Sequence, residues 1–171
     1  MDIHDLVRAH SVGHNLEDVK VEFKKDLKLD IANITIDGKS GEILNIPRWI
    51  ANVLESEKNI EINDIDMITE LKQAVTKEEV QGVFDLSTLE PHFYIKLKSY
   101  MERLPEKDHD MAESMLNKLL RTRQSKIIRL ADSLKLPADM SQKLTIEERE
   151  FYNQVHEISI KFSKKIVGGK I

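Results

Sequence analysis

The chain has 171 residues, 40% of them apolar and 33% charged, so it is long enough to bury a core and too apolar for a disordered protein. Its net charge of -4 counts against a surface built to coat DNA, although a local basic patch is compatible with that balance. The lack of cysteine removes disulfides, thiolate metal sites and cysteine nucleophiles, and no apolar run nears the roughly 20 residues of a membrane span. The opening "MDIHDLVRAHSVGHN" also lacks the apolar segment of a signal peptide, so an intracellular, soluble protein is expected.

In chain order, a short helix is predicted around Ile3 to Ala9. From Val19 to Ile36 apolar and polar residues alternate: Val19, Val21 and Phe23, then Leu27, Leu29 and Ile31, then Ile34 and Ile36. A period of two belongs to half-buried strands. The cluster "DGKSGE", Asp37 to Glu42, marks a turn. A helix is predicted from near Pro47, where the missing N–H does no harm in a first turn, and "NIEI", Asn59 to Ile62, returns to a strand. Residues 1–63 therefore read as a small β-rich domain with a short helix.

Beyond it, Asn63 is placed to cap a helix with Ile65, Ile68, Leu71 and Val75 on one side, and Thr76 with Glu79 forms a capping-box pattern for a second, short helix. Phe93, Leu97, Tyr100, Met101 and Leu104 recur at helical spacing. The longest helix is predicted over about Asp108 to Leu134, with Pro137 beyond its end. A last helix opens with a capping box at Thr145 and Glu148 and carries Phe151, Val155, Ile158, Phe162 and Ile166 in one stripe. Residues 64–171 read as a helical bundle, so the fold class is α+β, a small β-rich domain followed by an α-helical one. Residues 1–64 hold 8 basic and 13 acidic residues and the remainder 18 and 17, so neither half is basic.

The stretch "LLRTRQSKIIRLADSL", Leu119 to Leu134, carries Arg121, Arg123, Lys126 and Arg129 with no acid before Asp132. At about 100° per residue these cations do not form one stripe. Arg123 falls in the apolar sector with Leu116, Leu120, Ile127 and Ala131, and Lys126 falls on its edge, whereas Arg121 and Arg129 point elsewhere. Ion pairing inside the protein or at a subunit interface is therefore expected for Arg123 and Lys126, and solvation or a weak DNA contact for Arg121 and Arg129. Glu147, Glu148 and Glu150 at the start of the last helix would repel phosphates and are candidate partners for the arginines.

Other chemistry is sparse. His10 and His14 stand in an i, i+4 relation and His4 is near, but no third ligand is fixed and a frayed terminus is the expected state of this segment. "GGK", Gly168 to Lys170, lacks the strand and upstream glycine of a phosphate loop. No triad, paired-carboxylate or dinucleotide pattern occurs in a fitting context, so no catalytic, cofactor or metal residue is assigned. Trp49, Ile50, Val53 and Leu54 give the short helix of the small domain an apolar side, which either packs in its own core or docks on another domain or subunit.

Three ordered segments together resemble one family, the GINS complex of the replication fork. "GEILNIPRWIANVLESEKNIEI", Gly41 to Ile62, resembles its small B domain through Pro47, Trp49 and Ala51. "LLRTRQSKIIRLADSL" resembles the arginine-rich helix of its helical A domain, and "LTIEEREFYNQVHEIS" its last helix, with Glu148, Arg149, Phe151 and Tyr152. Arg48 stands where many relatives carry an apolar residue. The order, small domain first, is that of one of the two subunit kinds and implies an archaeal subunit of that kind, in the cytoplasm.

The resemblance implies a non-catalytic scaffold without a cofactor, assembling with a second GINS subunit of opposite domain order as a two-plus-two heterotetramer. It further implies association with the MCM helicase and a RecJ-like nuclease partner to activate DNA unwinding, with primase or polymerase as further contacts. On that basis Arg123, Lys126, Ile127, Phe151, Tyr152, Val155 and Phe162 are expected at a subunit interface. Trp49, Ile50 and Val53 are expected at a docking face of the small domain, and Arg121 and Arg129 at a weak DNA contact. The alternative is a stand-alone helical regulator that binds nucleic acid through the same cations.

Overall fold

The computed structural model describes residues 3–132 and 136–168. The chain divides into two compact units, Arg8–Asp66, and Met67–Ile171 together with Met1–Val7. The expected end of the longest helix at Leu134, and Gly169 and Lys170 of the "GGK" sequence, lie outside the described residues.

The first helix, α1 (Ile3–Leu16), runs further than Ala9. The reason is local: His14 near its end is buried and its Nδ1 lies 3.1 Å from the Glu17 carboxylate, so the segment is anchored rather than frayed. In the β-rich unit, β1 (Asp18–Phe23) is the centre of an antiparallel sheet between β4 (Ile43–Pro47) and β5 (Ile60–Ile62). Val21 faces Leu44 on one side and Ile62 on the other. The strand β4 has no clear alternation in sequence and owes its conformation to pairing with β1, a non-local interaction.

The other pair, β2 (Leu27–Ile31) and β3 (Ile34–Gly38), is a hairpin in which Ile31 faces Ile34. Its two-residue turn, Ala32 and Asn33, has φ of 48° and 68°, the geometry whose twist matches that of paired strands. The helix α2 (Arg48–Ser56) starts straight after Pro47 and buries Ile50, Ala51 and Leu54. These meet Val19, Val21 and Phe23 from β1, Ile36 from β3, Ile46 from β4, and Ile60 and Ile62 from β5 in one core. Ile50 is thus a core residue and not part of a docking face, whereas Trp49 and Val53 remain exposed. Arg48 is buried too, its Nη1 donating to Asp64 Oδ2 at 2.6 Å, which accounts for a cation at an otherwise apolar position.

The helical unit holds α3 (Met67–Val80), α4 (Phe93–Met101), α5 (Glu106–Ala131), α6 (Ala138–Lys143) and α7 (Ile146–Val167). Two expectations change in α3. Asn63 does not cap it: the helix begins only at Met67, and the Asn63 N–H donates to Lys20 O and prolongs the strand pairing. Nor does a new helix open at Thr76, whose hydroxyl instead donates back to Lys72 O at 2.9 Å while the helix continues. The capping box at Thr145 and Glu148 forms as expected, with both reciprocal bonds present.

Two apolar cores fill this unit. One gathers Met67, Leu71 and Ala74 of α3 with Phe93 and Leu97 of α4 and Ala112 and Leu119 of α5. The other gathers Leu86 of the α3–α4 loop, Ile127 and Ala131 of α5, Leu144, and Tyr152 of α7. Among the described residues no helix is long and apolar enough to cross a membrane.

Candidate functional site

Leu119, Arg123, Ile127 and Ala131 follow one another at intervals of four, so they share one face of α5. Leu119 belongs to the first core and Ile127 to the second, which puts Arg123 between two apolar layers, where it is wholly buried. A guanidinium there requires every N–H to find an acceptor.

The fold supplies them. Nε and Nη2 of Arg123 form a fork onto Glu148 of α7, at 2.6 Å to Oε1 and 2.8 Å to Oε2. Nη1 donates to Glu78 Oε2 of α3 at 2.7 Å and to Ser87 O at 2.8 Å, and Nη2 also reaches Lys143 O at 3.1 Å. Lys126, one turn along on the edge of the same face, donates to Glu78 Oε1 at 2.6 Å. Ser87 donates to Glu78 through its N–H and its hydroxyl, and Tyr94 of α4 donates to Glu148 Oε1 at 2.7 Å. Two cations thus face two carboxylates, and one side chain ties together α3, α5, α7 and the loop before α4.

Ionisation follows from this packing. Burial alone would raise the Glu78 carboxyl, but the Lys126 and Ser87 hydrogen bonds and the Arg123 charge outweigh it and hold it below the ordinary carboxylate range. Burial would likewise discharge Arg123, yet the Glu148 hydrogen bond and charge overcome it and raise its pKa. Burial, then the Glu148 charge and hydrogen bond, push Tyr94 far up, so it serves as a phenol donor. In the β-rich unit, burial and then the Arg48 charge lower His14, with Glu17 opposing.

The expected interface residues therefore divide. Arg123, Lys126 and Ile127 are buried inside their own chain, Arg123 against Glu78 and Glu148, Lys126 against Glu78 and Ile127 in the second core. Tyr152 is buried as well, while Phe151 and Val155 are partly covered by the second core. Phe162 is 66% exposed. Arg121 and Arg129 lie on the exposed side of α5. Glu148 answers Arg123 from among the acids considered, but Glu78 is a residue that sequence reasoning missed: it continues the Leu71 and Ala74 face only if α3 runs unbroken through Thr76.

The apolar stripe of α7 changes its role along its length. The two long helices run side by side in the same direction, since Arg123 meets Glu148, Ala131 O accepts from His156 Nδ1 at 2.8 Å, and Asp132 accepts from Ser159. The helix α7 then continues about two turns beyond Ser159. Ile158, Phe162 and Ile166, at 66%, 66% and 68% exposure, carry the stripe into water.

Histidines 4, 10 and 14 do not converge on a common point. Among the described residues the one cluster with ligand-like spacing is His109, Asp110 and Glu113, within 4.8 Å of one another. All three belong to the first turns of one helix, where acidic groups favour the dipole, and no second element completes a coordination shell.

The family model of the GINS complex protein helical bundle domain matches residues 60–167, nearly the whole of the helical unit. No curated protein matches the chain. A helical bundle of this family, joined to a small N-terminal β unit with a three-stranded sheet and a hairpin, is the architecture of a GINS subunit, a component of DNA replication, and the chain belongs to that family.

Proposed function

We propose that the chain is a non-catalytic scaffold subunit. It joins a second GINS subunit of opposite domain order, two of each in a heterotetramer, and the assembly joins an MCM helicase and a RecJ-like partner to activate replicative unwinding in an archaeal cytoplasm. Primase or polymerase is a further partner of the same assembly.

The observation that carries this reading is the stripe Ile158, Phe162 and Ile166, left exposed at helical spacing on α7 of a family whose members work as complexes. It continues from Phe151 and Val155, which pack on the second core beside buried Tyr152, so the seam is an extension of the chain's own core. Arg123 and Ile127 serve that seam from beneath by holding α5 against α7, and Lys126 by tying α5 to Glu78 of α3. Trp49 and Val53, backed by buried Ile50, form the docking face of the small unit. Arg121 and Arg129 offer a weak auxiliary DNA contact, and the balance of -4 speaks against a stand-alone nucleic-acid regulator.

Co-expression with a GINS subunit of the helical-domain-first kind, followed by mass measurement by light scattering, tests the proposal. A stoichiometric complex is expected. A chain that stays monomeric in the presence of that subunit sinks the reading.

A further inference from the structure

The second half of α1, residues 8–16, belongs to the β-rich unit and has little of its own to keep it helical. Val12, Gly13 and Asn15 are weak helix formers, and a helix of 14 residues is marginal in water without tertiary contacts. Val12 and Leu16 are exposed, no residue of α1 belongs to the core of the β-rich unit, and the one buried residue of α1 is His14. Its imidazole is the pin that holds this segment in place.

The pin fits its site in one protonation state. Nδ1 lies 3.1 Å from a Glu17 carboxylate oxygen, which accepts, so Nδ1 carries the proton of a neutral ring. Nε2 is buried and has no hydrogen-bond partner, so a second proton there would be an N–H without an acceptor. Burial and the charge of Arg48, at the start of α2, disfavour the imidazolium. Glu17 and Asp64 favour it, as does the carbonyl end of α1, but Asp64 is already engaged by Arg48 and the ring is held below the ordinary histidine value.

A segment with one buried anchor opens at little cost, and in the open form the ring meets water and takes a proton at about pH 6.5. The proton is bound in that released form, so no path to the buried Nε2 is needed. Because the docked form binds the proton less readily, docking is complete above about pH 6.5 and is lost as pH falls through the lower docked value. We propose that the second half of α1 is an acid-released arm, held on the β-rich unit by neutral His14 and let go when Nε2 is protonated, while the β core stays folded. The device lies within the β-rich unit, so it stands apart from the GINS assembly.

Backbone 15N relaxation of the full chain between pH ~7.5 and ~5, with the His14 ring followed in the same samples, tests this. Order parameters of residues 10–16 should fall from about 0.85 to below about 0.6 on acidification, while those of Val21 and Leu54 hold. The ring should titrate in the same step, with a midpoint below about 6.5. His14→Leu, which keeps an apolar pin and takes no proton, should hold the arm across the whole range. If His14→Leu does not dock, the coincidence of ring titration and loss of order in the wild type decides the matter. An arm that stays ordered to pH ~5, a loss of order separate from the ring titration, a midpoint at or above the ordinary value, or an acid release that persists in His14→Leu overturns the proposal.

Discussion

Arg123 shows how a single residue can be readable in direction and unreadable in partnership. Its angular position on α5 already put it in the apolar sector, and a buried guanidinium must be paired. Which acids pair with it depended on α3, a helix whose apparent break at Thr76 hid Glu78 from the face it continues. Removing the cation leaves Glu148 buried without a countercharge and Glu78 with Lys126 as its remaining one. Arg123→Met should therefore lower the unfolding free energy by about 3–5 kcal/mol in urea titration, and Arg123→Lys should recover only part, since an ammonium cannot reproduce the fork onto Glu148.

The pH dependence belongs to the same cluster. The Glu78 pKa is lower folded than unfolded, so its stabilisation is present above the ordinary glutamate value of about 4.3 and is lost as pH falls through the depressed folded value. Urea midpoints measured downward from pH ~5 should fall on acidification, and Glu78→Gln, weaker at neutral pH, should show a shallower fall. An identical acid slope in the two proteins would contradict the assignment.

At the scale of elements, local signals were legible wherever they were self-contained. The alternation in β1 and the capping box before α7 needed no distant partner, and both elements form as their residues dictate. The strand β4 and the unbroken α3 were not legible, because the first depends on pairing with β1 and the second on a hydroxyl bonding back along its own helix. Gly38 falls within the turn cluster by sequence, but it ends β3 and its position there serves a different need. A Cβ there would lie 2.6 Å from the Phe23 ring, so the glycine leaves room for an aromatic at the centre of the β core. Gly38→Ala should destabilise the β-rich unit by about 1–3 kcal/mol, seen as a lower thermal midpoint with the helical signal of Met67–Val167 little changed.

At the scale of the whole molecule, the decisive feature is apolar surface that the chain does not cover by itself. Phe162 stands free of both cores, so Phe162→Glu should leave the unfolding midpoint of the isolated chain within about 0.5 kcal/mol of wild type. In complex with a helical-domain-first GINS subunit, the same change should weaken association at least about tenfold, because a carboxylate would be desolvated in the seam. Light scattering at matched concentrations separates the two effects, and a mutant that assembles as well as wild type would remove Phe162 from the interface.

The sequence by itself determined the two-part organisation, the helical face of each long helix and the absence of a recognisable reaction motif, because periodicity, capping and composition are carried by neighbouring residues. The tertiary structure alone decided which face residues lie inside and which lie outside. Arg123 and Lys126 lie on or beside the apolar side of α5, and Glu78, from a segment about 45 residues earlier, closes over them. Phe162 lies on the same stripe as Phe151, yet Phe151 is partly covered by the second core and Phe162 is exposed, since α7 extends past the helix it packs on. Burial is set by what reaches a residue from elsewhere in the chain, and a local pattern does not contain that distance.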